Sequence, residues 1–343
     1  MNPTVGRKWA ALALSALGSL AFATLAPQRR VVQANGVSVS ATVVRVPLSQ
    51  YEVRVATAGS RVHSNASLLS IATAAKAECA INGTFLAAYA GETGEPYGTV
   101  VVEGRALHLG SSGTRLDVGF DGRMRFVRED LRIRGAVGSS SWYAYNLNVT
   151  PRTSNYSYVF TPDFGPRLTF APDAAVVVRG GVVTRVTRRE AVFVPADGFV
   201  IALDGVEVAQ LAHRFSVGAS VTYRVVDAAN GELNVRFGVG AGPLLVSGGR
   251  VVANPAAEGF RDAKVLTART ARSAVGLTAS GELLLVTMAN ASIAQTASVL
   301  RSLGAIDAMN LDGGASSGLV CGGRVVTPSG RALANAIVVK AKP

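Results

Sequence analysis

Histidine and cysteine are scarce in this 343-residue chain, and the shortage excludes several kinds of site. The 3 histidines and 2 cysteines lie far apart in the sequence, so no spacing typical of a structural zinc site occurs. The chain also lacks a P-loop and a G-x-G-x-x-G motif after a strand, which excludes the common nucleotide-binding motifs. No cofactor is therefore predicted, although a divalent cation stays open.

Charged and aromatic residues are also few, at 16% and 6%. Hydrophobic residues make up 49%, which excludes a disordered chain and allows a large core. The 37 glycines and frequent valines favour a β-rich chain with many tight turns. The length predicts about two domains or one large one.

Acidic residues are the rarer charge, with 22 against 34 Lys and Arg, which gives a net charge of +12. Only 5 of the 34 basic residues are lysine. Guanidinium groups match the geometry of phosphate and carboxylate, so a polyanionic or phosphorylated partner is one explanation. A basic surface that only aids solubility is the alternative, and composition does not choose between them.

Long apolar runs are absent except at the N-terminus. Arg7 and Lys8 precede an apolar run over 9–25, and Ala26 is followed by Pro27. This order predicts a signal peptide over residues 1–26, with a retained membrane anchor as the alternative. Either segment predicts a secreted, periplasmic or cell-envelope protein that contacts the membrane only there. No later segment has about 18 uninterrupted apolar residues, so no further span is predicted.

Alternating apolar residues predict an N-terminal β segment over residues 27–74, which ends in an Ala- and Leu-rich helix. The short apolar strand 79–81 follows and leads directly into Asn82-Gly83-Thr84. From about residue 97 to 252, turn residues separate successive short strands. This half of the chain is therefore predicted to be rich in β-structure.

A second strand–helix–strand unit is clearer. The apolar strand 282–288 precedes a helix that begins at Ser292, with Gln295 completing a capping box, and the strand 306–311 follows. Such a unit predicts a right-handed crossover into a parallel pair of strands. The predicted fold class is therefore α/β (α+β), a mixed sheet core with flanking helices.

A polar cluster, NLDGGASS at residues 310–317, follows this unit. Polar groups at the carboxyl edge of a parallel strand lie where open α/β sheets bind ligands. Asn310 and Asp312 alternate with an apolar residue and are expected on one face, while Gly313 and Gly314 let backbone N–H groups face an anion. The strand end at Asn82 is expected to face the same cleft. A simple Asp-Gly-Gly turn is the alternative.

Four motifs, in this order, resemble the phosphodiester glycosidase family: Asn82-Gly83-Thr84-Phe85, GAGPLL at 240–245, RSAVG at 272–276 and NLDGGASS at 310–317. The resemblance covers a domain of about residues 75–341. It includes a stretch, about 112–235, that resembles the β-rich insertion of bacterial members. The family includes the uncovering enzyme, N-acetylglucosamine-1-phosphodiester alpha-N-acetylglucosaminidase, and bacterial proteins associated with exopolysaccharide biosynthesis.

Two residues depart from the family pattern. Leu86 stands where a second aromatic residue is common, and Ala315 stands where a third glycine is common. Both substitutions are expected to change the shape of the pocket more than its chemistry.

The resemblance implies hydrolysis of the anomeric C–O bond of a sugar-1-phosphodiester, which yields a free sugar and a phosphomonoester. The implied partner is a phosphorylated glycan, and no nucleic acid is expected. In this scheme Asp312 stabilises an oxocarbenium-like transition state or activates water, and Arg272 clamps the phosphate with two donors. Asn310 and Asn82 are expected to donate hydrogen bonds to substrate oxygens.

The remaining candidates are expected to bind phosphate or sugar. They are the backbone of Gly313 and Gly314, the Ser316 hydroxyl, and the further positions Gly83, Thr84 and Ser317. Glu95, on the glycine-rich loop 91–98, is a candidate second carboxylate.

Each role has a structural alternative. Arg272 is in that case a buried arginine paired with Asp312, Asn82 a turn cap, and Ser317 an ordinary strand residue. A non-catalytic module that binds anionic cell-envelope glycans and a phosphodiesterase that cleaves P–O are the alternative functions. A metal-dependent phosphodiesterase needs a cluster of histidines and carboxylates, which the motifs lack.

The two cysteines, Cys79 and Cys321, form one disulfide or remain separate buried thiols. Export to an oxidising compartment permits the bond, and the sequence leaves both states open.

Overall fold

The computed structural model describes residues 24–89, 93–110, 113–228 and 231–343. The predicted signal segment lies outside the described residues except for its last three. Strands account for 47% and helices for 12% of the structure. No helix within the described ranges is long and apolar enough to cross a membrane.

The strands, in chain order, are β1 Gln28–Ala34, β2 Val37–Pro47, β3 Tyr51–Thr57, β4 Cys79–Asn82, β5 Val100–Val102, β6 Arg105–His108, β7 Thr114–Val118, β8 Met124–Arg128, β9 Leu131–Val137, β10 Ser140–Ala144, β11 Asn146–Leu147, β12 Ser157–Phe160, β13 Ala174–Arg179, β14 Val182–Thr187, β15 Gly198–Leu203, β16 Val221–Asp227, β17 Gly231–Glu232, β18 Phe237–Gly240, β19 Leu244–Ser247, β20 Arg250–Val251, β21 Thr270–Thr278, β22 Glu282–Ala291, β23 Ala305–Asn310, β24 Leu319–Cys321, β25 Arg324–Thr327 and β26 Asn335–Ala341. The α-helices are α1 Leu68–Ala74, α2 Val206–Leu211, α3 Ala263–Leu266 and α4 Ile293–Ser302, and short 3-10 turns span Ala212–Arg214, Ala256–Glu258 and Gly314–Ser316.

The largest sheet has seven strands in the order β1-β2-β22-β21-β23-β19-β20. One face packs into the central core through residues such as Val275 and Leu285, and the other face is covered by α4. Helix α4 begins as predicted: Gln295 N–H donates to the Ser292 hydroxyl, and Ser292 N–H donates to the Gln295 side chain. This capping box satisfies two N–H groups that the first helical turn leaves unpaired.

The parallel pair predicted for β22–α4–β23 does not form. Strand β21 lies between β22 and β23 and is antiparallel to both. A tight turn at Gly281, with φ of 78°, joins β21 to β22 as a hairpin, so the crossover through α4 must pass over β21. The sheet is therefore antiparallel, and the predicted mixed α/β core is only partly correct.

Two five-stranded sheets, β25-β24-β4-β26-β3 and β6-β5-β18-β7-β8, complete the central core. The N-terminal strands belong to two different sheets: β2 pairs with β22 of the seven-stranded sheet, and β3 pairs with β26 of a five-stranded sheet. Cys79 of β4 and Cys321 of β24 are register partners and form a disulfide. Helix α1 packs on the outer face of β4, β24 and β26.

Strands β9–β17 form two more sheets, β10-β9-β16-β17 and β11-β12-β15-β13-β14. Every strand pairing in these sheets stays between residues 131 and 232. Trp142, Ile201 and Phe160 are among the buried residues of their own two cores. These strands lie inside the stretch predicted as a β-rich insertion.

Candidate active site

The end of β4 holds the loop that follows β23. The Asn82 side chain donates through Nδ2 to the Asp312 carbonyl at 2.8 Å, and its Oδ1 accepts from Gly318 N–H at 3.0 Å. Asp312 N–H donates to the Gly83 carbonyl at 3.2 Å. The two strand ends therefore lie together, as expected. Asn82, however, uses both polar atoms inside the protein, so it positions the loop and is not placed to contact substrate as predicted.

Gly83 and Thr84 pack against Asn335 of β26. A Cβ at Gly83 would lie 2.1 Å from Asn335 Oδ1, so only glycine fits there. Thr84 N–H donates to Asn335 Oδ1 at 3.0 Å, and Asn335 Nδ2 donates to the Thr84 hydroxyl at 2.9 Å. Gly83 and Thr84, which were predicted to bind substrate, therefore contact Asn335 inside the protein. Asn335 was missed by sequence reasoning, and its only signal is an amide side chain at the start of an apolar strand.

Asn310 is fully buried and does not line the cavity described below. Its Nδ2 donates to the carbonyls of Gly242 at 2.9 Å and Leu311 at 2.6 Å. Strand β23 ends at Asn310, so the strand alternation expected to place it beside Asp312 does not continue. The structure therefore corrects its predicted catalytic position: the side chain ties β23 to the turn at Gly242.

An open cavity of about 730 Å³ lies beside this loop. Aromatic side chains form part of its wall, and most of the charged residues that line it are basic. Leu86 and Ala315, the two departures from the family pattern, both line it. The lining residues are Phe85, Leu86, Tyr89, Tyr97, Gly98, Ala241, Gly259, Phe260, Arg261, Asp262, Lys264, Val265, Ala268, Arg269, Thr270, Arg272, Asp312, Gly313, Gly314, Ala315 and Arg331.

Asp312 is the half-buried carboxylate of this cavity. Its Oδ1 accepts a hydrogen bond from Gly313 N–H at 2.8 Å. Burial raises the pKa of the Asp312 carboxyl to about 7, although the Ser316 hydroxyl, Gly313 N–H and the charges of Arg331 and Arg272 act to lower it. Near neutral pH the group is thus present in both protonation states, which suits proton transfer.

Arg272, in β21, is buried, and two of its three side-chain nitrogens donate hydrogen bonds to backbone carbonyls. Its Nε donates to the Ala291 carbonyl at 3.0 Å, and its Nη2 donates to the carbonyls of Lys264 at 2.6 Å and Ala268 at 2.8 Å. Its Nη1 donates to none of the described residues. Burial lowers the pKa of the guanidinium, and the charge of Asp312 opposes that shift. The two-donor clamp predicted for Arg272 is therefore reduced to a single available nitrogen.

The glycines after Asp312 lead into the 3-10 turn Gly314–Ser316. Gly313 N–H is used by Asp312, whereas the N–H groups of Gly314 and Ala315 have no acceptor among the described residues. The backbone donors available to an anion are therefore one residue further along than predicted. Ser316 bonds to Asp312, and the buried Ser317 hydroxyl has no partner within the described ranges.

Glu95 is buried and does not line the cavity. Both its oxygens accept from Thr150 N–H, at 3.1 and 3.0 Å, and His63 Nε2 lies 3.2 Å from Oε2. His108 Nε2 lies 3.7 Å from Oε1. Glu95 is therefore not placed as the predicted second carboxylate. It ties the segment before Tyr97, which does line the cavity, to the rest of the fold.

We expect Glu95→Gln to destabilise the fold by about 2 to 3 kcal/mol at pH 7. Burial alone would raise the pKa of Glu95, but the neighbouring His108 and His63 side chains and the hydrogen bond from Thr150 lower it from 4.5 to about 2. A depressed pKa stabilises the fold above the unfolded value, and this contribution disappears as the pH falls from 4.5 to about 2. Urea unfolding across that range measures it.

Glu190→Gln is the matched control, because Glu190 pairs with Arg185 at the surface and is half-exposed. It should change the free energy of unfolding by less than about 1 kcal/mol. Equal effects of the two substitutions would contradict the role given to Glu95.

A half-buried carboxylate and a buried arginine line one cavity with aromatic and basic walls, which makes it a candidate site for an anionic ligand. Within the described residues, no three His, Cys, Asp or Glu side chains are placed to share a metal ion. Residues 172–340, just under half of the chain, match the family model of phosphodiester glycosidases. The resemblance predicted from the motifs is thereby confirmed. The matched range includes Arg272 and Asp312, whereas Asn82 precedes it.

Solved structures with the same fold include a hypothetical protein from Synechocystis, with 27% identity and a TM-score of 0.82. The alignment covers 92% of this chain and 62% of the Synechocystis chain, so this chain spans less than two thirds of that relative. A Burkholderia pseudomallei protein described as exported has 21% identity and a TM-score of 0.70, over 88% of this chain and 74% of its own.

The catalytic domain of zebrafish N-acetylglucosamine-1-phosphodiester alpha-N-acetylglucosaminidase, auto-inhibited by its pro-peptide, has 15% identity and a TM-score of 0.50. The alignment covers 92% of this chain and 82% of the zebrafish chain, and it shows a shared fold only. No curated protein sequence matches this chain.

Proposed function

We propose that this protein is a glycosidase that hydrolyses the anomeric C–O bond of a sugar-1-phosphodiester. The observation that carries the proposal is the placement of Asp312 and Arg272 in one cavity, where the carboxyl has a pKa of about 7 and Arg272 Nη1 is free to donate. The match of residues 172–340 to the family model supports the substrate class. N-acetylglucosamine is the first sugar to test, because the zebrafish enzyme of the same fold acts on it.

In the proposed reaction, Arg272 Nη1 and the N–H groups of Gly314 and Ala315 bind the phosphate oxygens. Their positive ends face the charge that grows on the phosphate as the bond breaks. The phosphate leaves with the electron pair of the C–O bond, so it needs little help from a general acid.

Asp312 acts as a carboxylate in this scheme. It stabilises the positive charge on the sugar ring and takes a proton from the attacking water, whose oxygen bonds to the anomeric carbon. The products are the free sugar and a phosphomonoester, with the proton held on Asp312. A carboxyl with a pKa of about 7 is a stronger base than an exposed aspartate. The aromatic wall, which includes Tyr97 and Phe260, offers faces on which a sugar packs.

Hydrolysis of the ethyl phosphodiester of N-acetylglucosamine-α-1-phosphate in oxygen-18 water tests the proposal. Cleavage of C–O leaves the phosphomonoester product without heavy oxygen, and phosphate oxygens do not exchange with water under these conditions. The measurement is therefore mass spectrometry of the ethyl phosphate product. One heavy oxygen on the phosphate would show a P–O-cleaving phosphodiesterase instead. Stoichiometric binding without turnover, over a panel of sugars, would indicate a non-catalytic glycan-binding module.

We further propose that the protein is exported, with the glycan substrate in the cell envelope or outside the cell. The N-terminal pattern Arg7-Lys8, apolar run and Ala26 supports this proposal, and the Cys79–Cys321 disulfide suits an oxidising compartment. Fractionation of cells that express the full chain, with N-terminal sequencing of the product, tests export and cleavage together.

A further inference from the structure

We propose that the group released with the phosphate, the aglycone, carries a second negative charge as a phosphate or a carboxylate. This inference rests on the proposed function, since it names the substrate class of the same site. It starts from a charge imbalance in the cavity that a phosphodiester alone does not neutralise.

Basic side chains outnumber acidic ones along the cavity. Five positive residues and two acidic ones, Asp262 and Asp312, line it, which leaves a net charge of +3 when both carboxyls are ionised. A phosphodiester carries a single negative charge, so it neutralises only part of this excess. The five positive residues are Arg261, Lys264, Arg269, Arg272 and Arg331.

The exposed arginines of the cavity are not neutralised by the protein. Arg261 Nη1 donates only to the carbonyls of Ala256 and Phe260, at 3.2 and 3.3 Å. Arg269 Nη2 donates to the Asn290 carbonyl at 3.4 Å. Neither forms an ion pair within the part of the chain that the structure describes. Their charges are therefore available to a ligand.

Asp262 caps helix α3, and its negative charge is already included in the net charge of +3. Its Oδ1 accepts from Lys264 N–H at 2.8 Å. Lys264 itself extends its ammonium group to the Tyr89 hydroxyl. Arg261 and Arg269 are therefore exposed cations of the cavity without an ion-pair partner among the described residues.

The basic residues of the cavity differ in their exposure and in whether their charges act on Asp312. Arg272 and Arg331 lie near the reacting centre, because their charges act on Asp312. Arg261 and Arg269 belong to the segment that leads to Arg272, and they are exposed. A second anion on the aglycone reaches these two arginines while the scissile phosphate stays at Arg272.

Exposed arginines bind an anion weakly one at a time, because water screens each charge. Two of them together should favour a doubly charged substrate by about tenfold in kcat/KM, and added salt should reduce that preference.

The experiment compares three substrates that share N-acetylglucosamine-α-1-phosphate and differ in the aglycone. The aglycones are propanediol, which is neutral, glycerol 3-phosphate and glycerate. The full chain is expected to prefer both anionic aglycones over propanediol, and the phosphate and carboxylate arms show which anion is bound better. In the double variant Arg261→Gln/Arg269→Gln, the preference should fall from about tenfold to about one. Arg301→Gln/Arg324→Gln, at two exposed arginines that do not line the cavity, removes the same two charges and should retain the preference.

Equilibrium binding of non-hydrolysable phosphonate analogues, measured by calorimetry, separates this inference from the proposed function. Tighter binding of the anionic analogues without turnover of any substrate would support the second charge and contradict the glycosidase. Equal turnover of all three substrates would support the glycosidase and overturn the second charge. A preference that persists in the double variant would also overturn it, as would failure to bind any analogue.

Discussion

Asp312→Asn is expected to lower kcat for sugar release by about a thousandfold, which is the usual loss when a catalytic base is removed. Asparagine keeps the size of the side chain and the acceptor for Gly313 N–H, but it takes no proton and carries no charge. The activity of the wild-type protein should rise with pH through about 7, because the carboxylate is the reactive form. Initial rates between about pH 5 and pH 9 measure both effects.

The same substitution should stabilise the fold above neutral pH. The pKa of Asp312 is raised from 3.8 to about 7 in the folded state, so the fold loses stability as the pH rises between these values. Asparagine removes this loss, and the gain at pH 8 should be about 2 to 4 kcal/mol. A variant that is inactive and more stable identifies a residue retained for chemistry.

Asp197→Asn is the matched control, because Asp197 pairs with Arg179 at the surface. It should retain the activity and pH profile of the wild-type protein. A flat pH profile, or an active Asp312→Asn variant, would remove Asp312 from the mechanism.

Arg272→Lys should lower kcat/KM by about a hundredfold or more, although it preserves the charge. Arg272 holds three backbone carbonyls with Nε and Nη2 and leaves only Nη1 for the phosphate. A single ammonium group cannot make both sets of contacts. Steady-state kinetics under conditions where circular dichroism shows a folded protein measures the loss.

Arg272→Ala with added guanidinium ion, at concentrations that do not unfold the protein, separates a chemical role from a structural one. Partial recovery of activity would show that the missing group acts at the phosphate. Arg301→Lys, on the exposed side of α4, is the control and should leave kcat/KM unchanged. Normal kcat/KM in Arg272→Lys would mean that other donors bind the phosphate.

Local sequence signals predicted the elements whose causes are local. The capping box at Ser292 and Gln295 depends on residues three apart, so the start of α4 follows from the sequence. The parallel pairing of the adjoining strands did not follow, because the hairpin at Gly281 inserts β21 between them. Strand order depends on which pairings form together, and periodicity does not contain that information.

The candidate site shows the same division. The motifs identified Asp312 and Arg272, and both line the cavity. They also suggested Asn82 and Asn310 as substrate contacts, but these side chains are buried and bonded to the protein. An amide side chain serves equally well to bind a ligand or to hold a loop, so residue type alone does not decide between the two.

The sequence also contains a signal for the basic wall of the cavity, which the motifs did not include. Arg261, Lys264 and Arg269 all fall within the twelve residues that end at Arg272. Cations at this density, beside the motif that begins at Arg272, point to an anion site. Only the fold shows that they face the same cavity as Asp312.

The sequence by itself determined the match of residues 172–340 to the phosphodiester glycosidase model, the residue types of the candidate site and the start of α4. The tertiary structure alone decided which polar side chains face the cavity and which form hydrogen bonds within the protein. The bond from Asn82 to Asp312 joins residues 230 positions apart, and no local pattern encodes such a contact. The raised pKa of Asp312 likewise comes from burial by distant segments, because desolvation depends on everything that packs around the carboxyl.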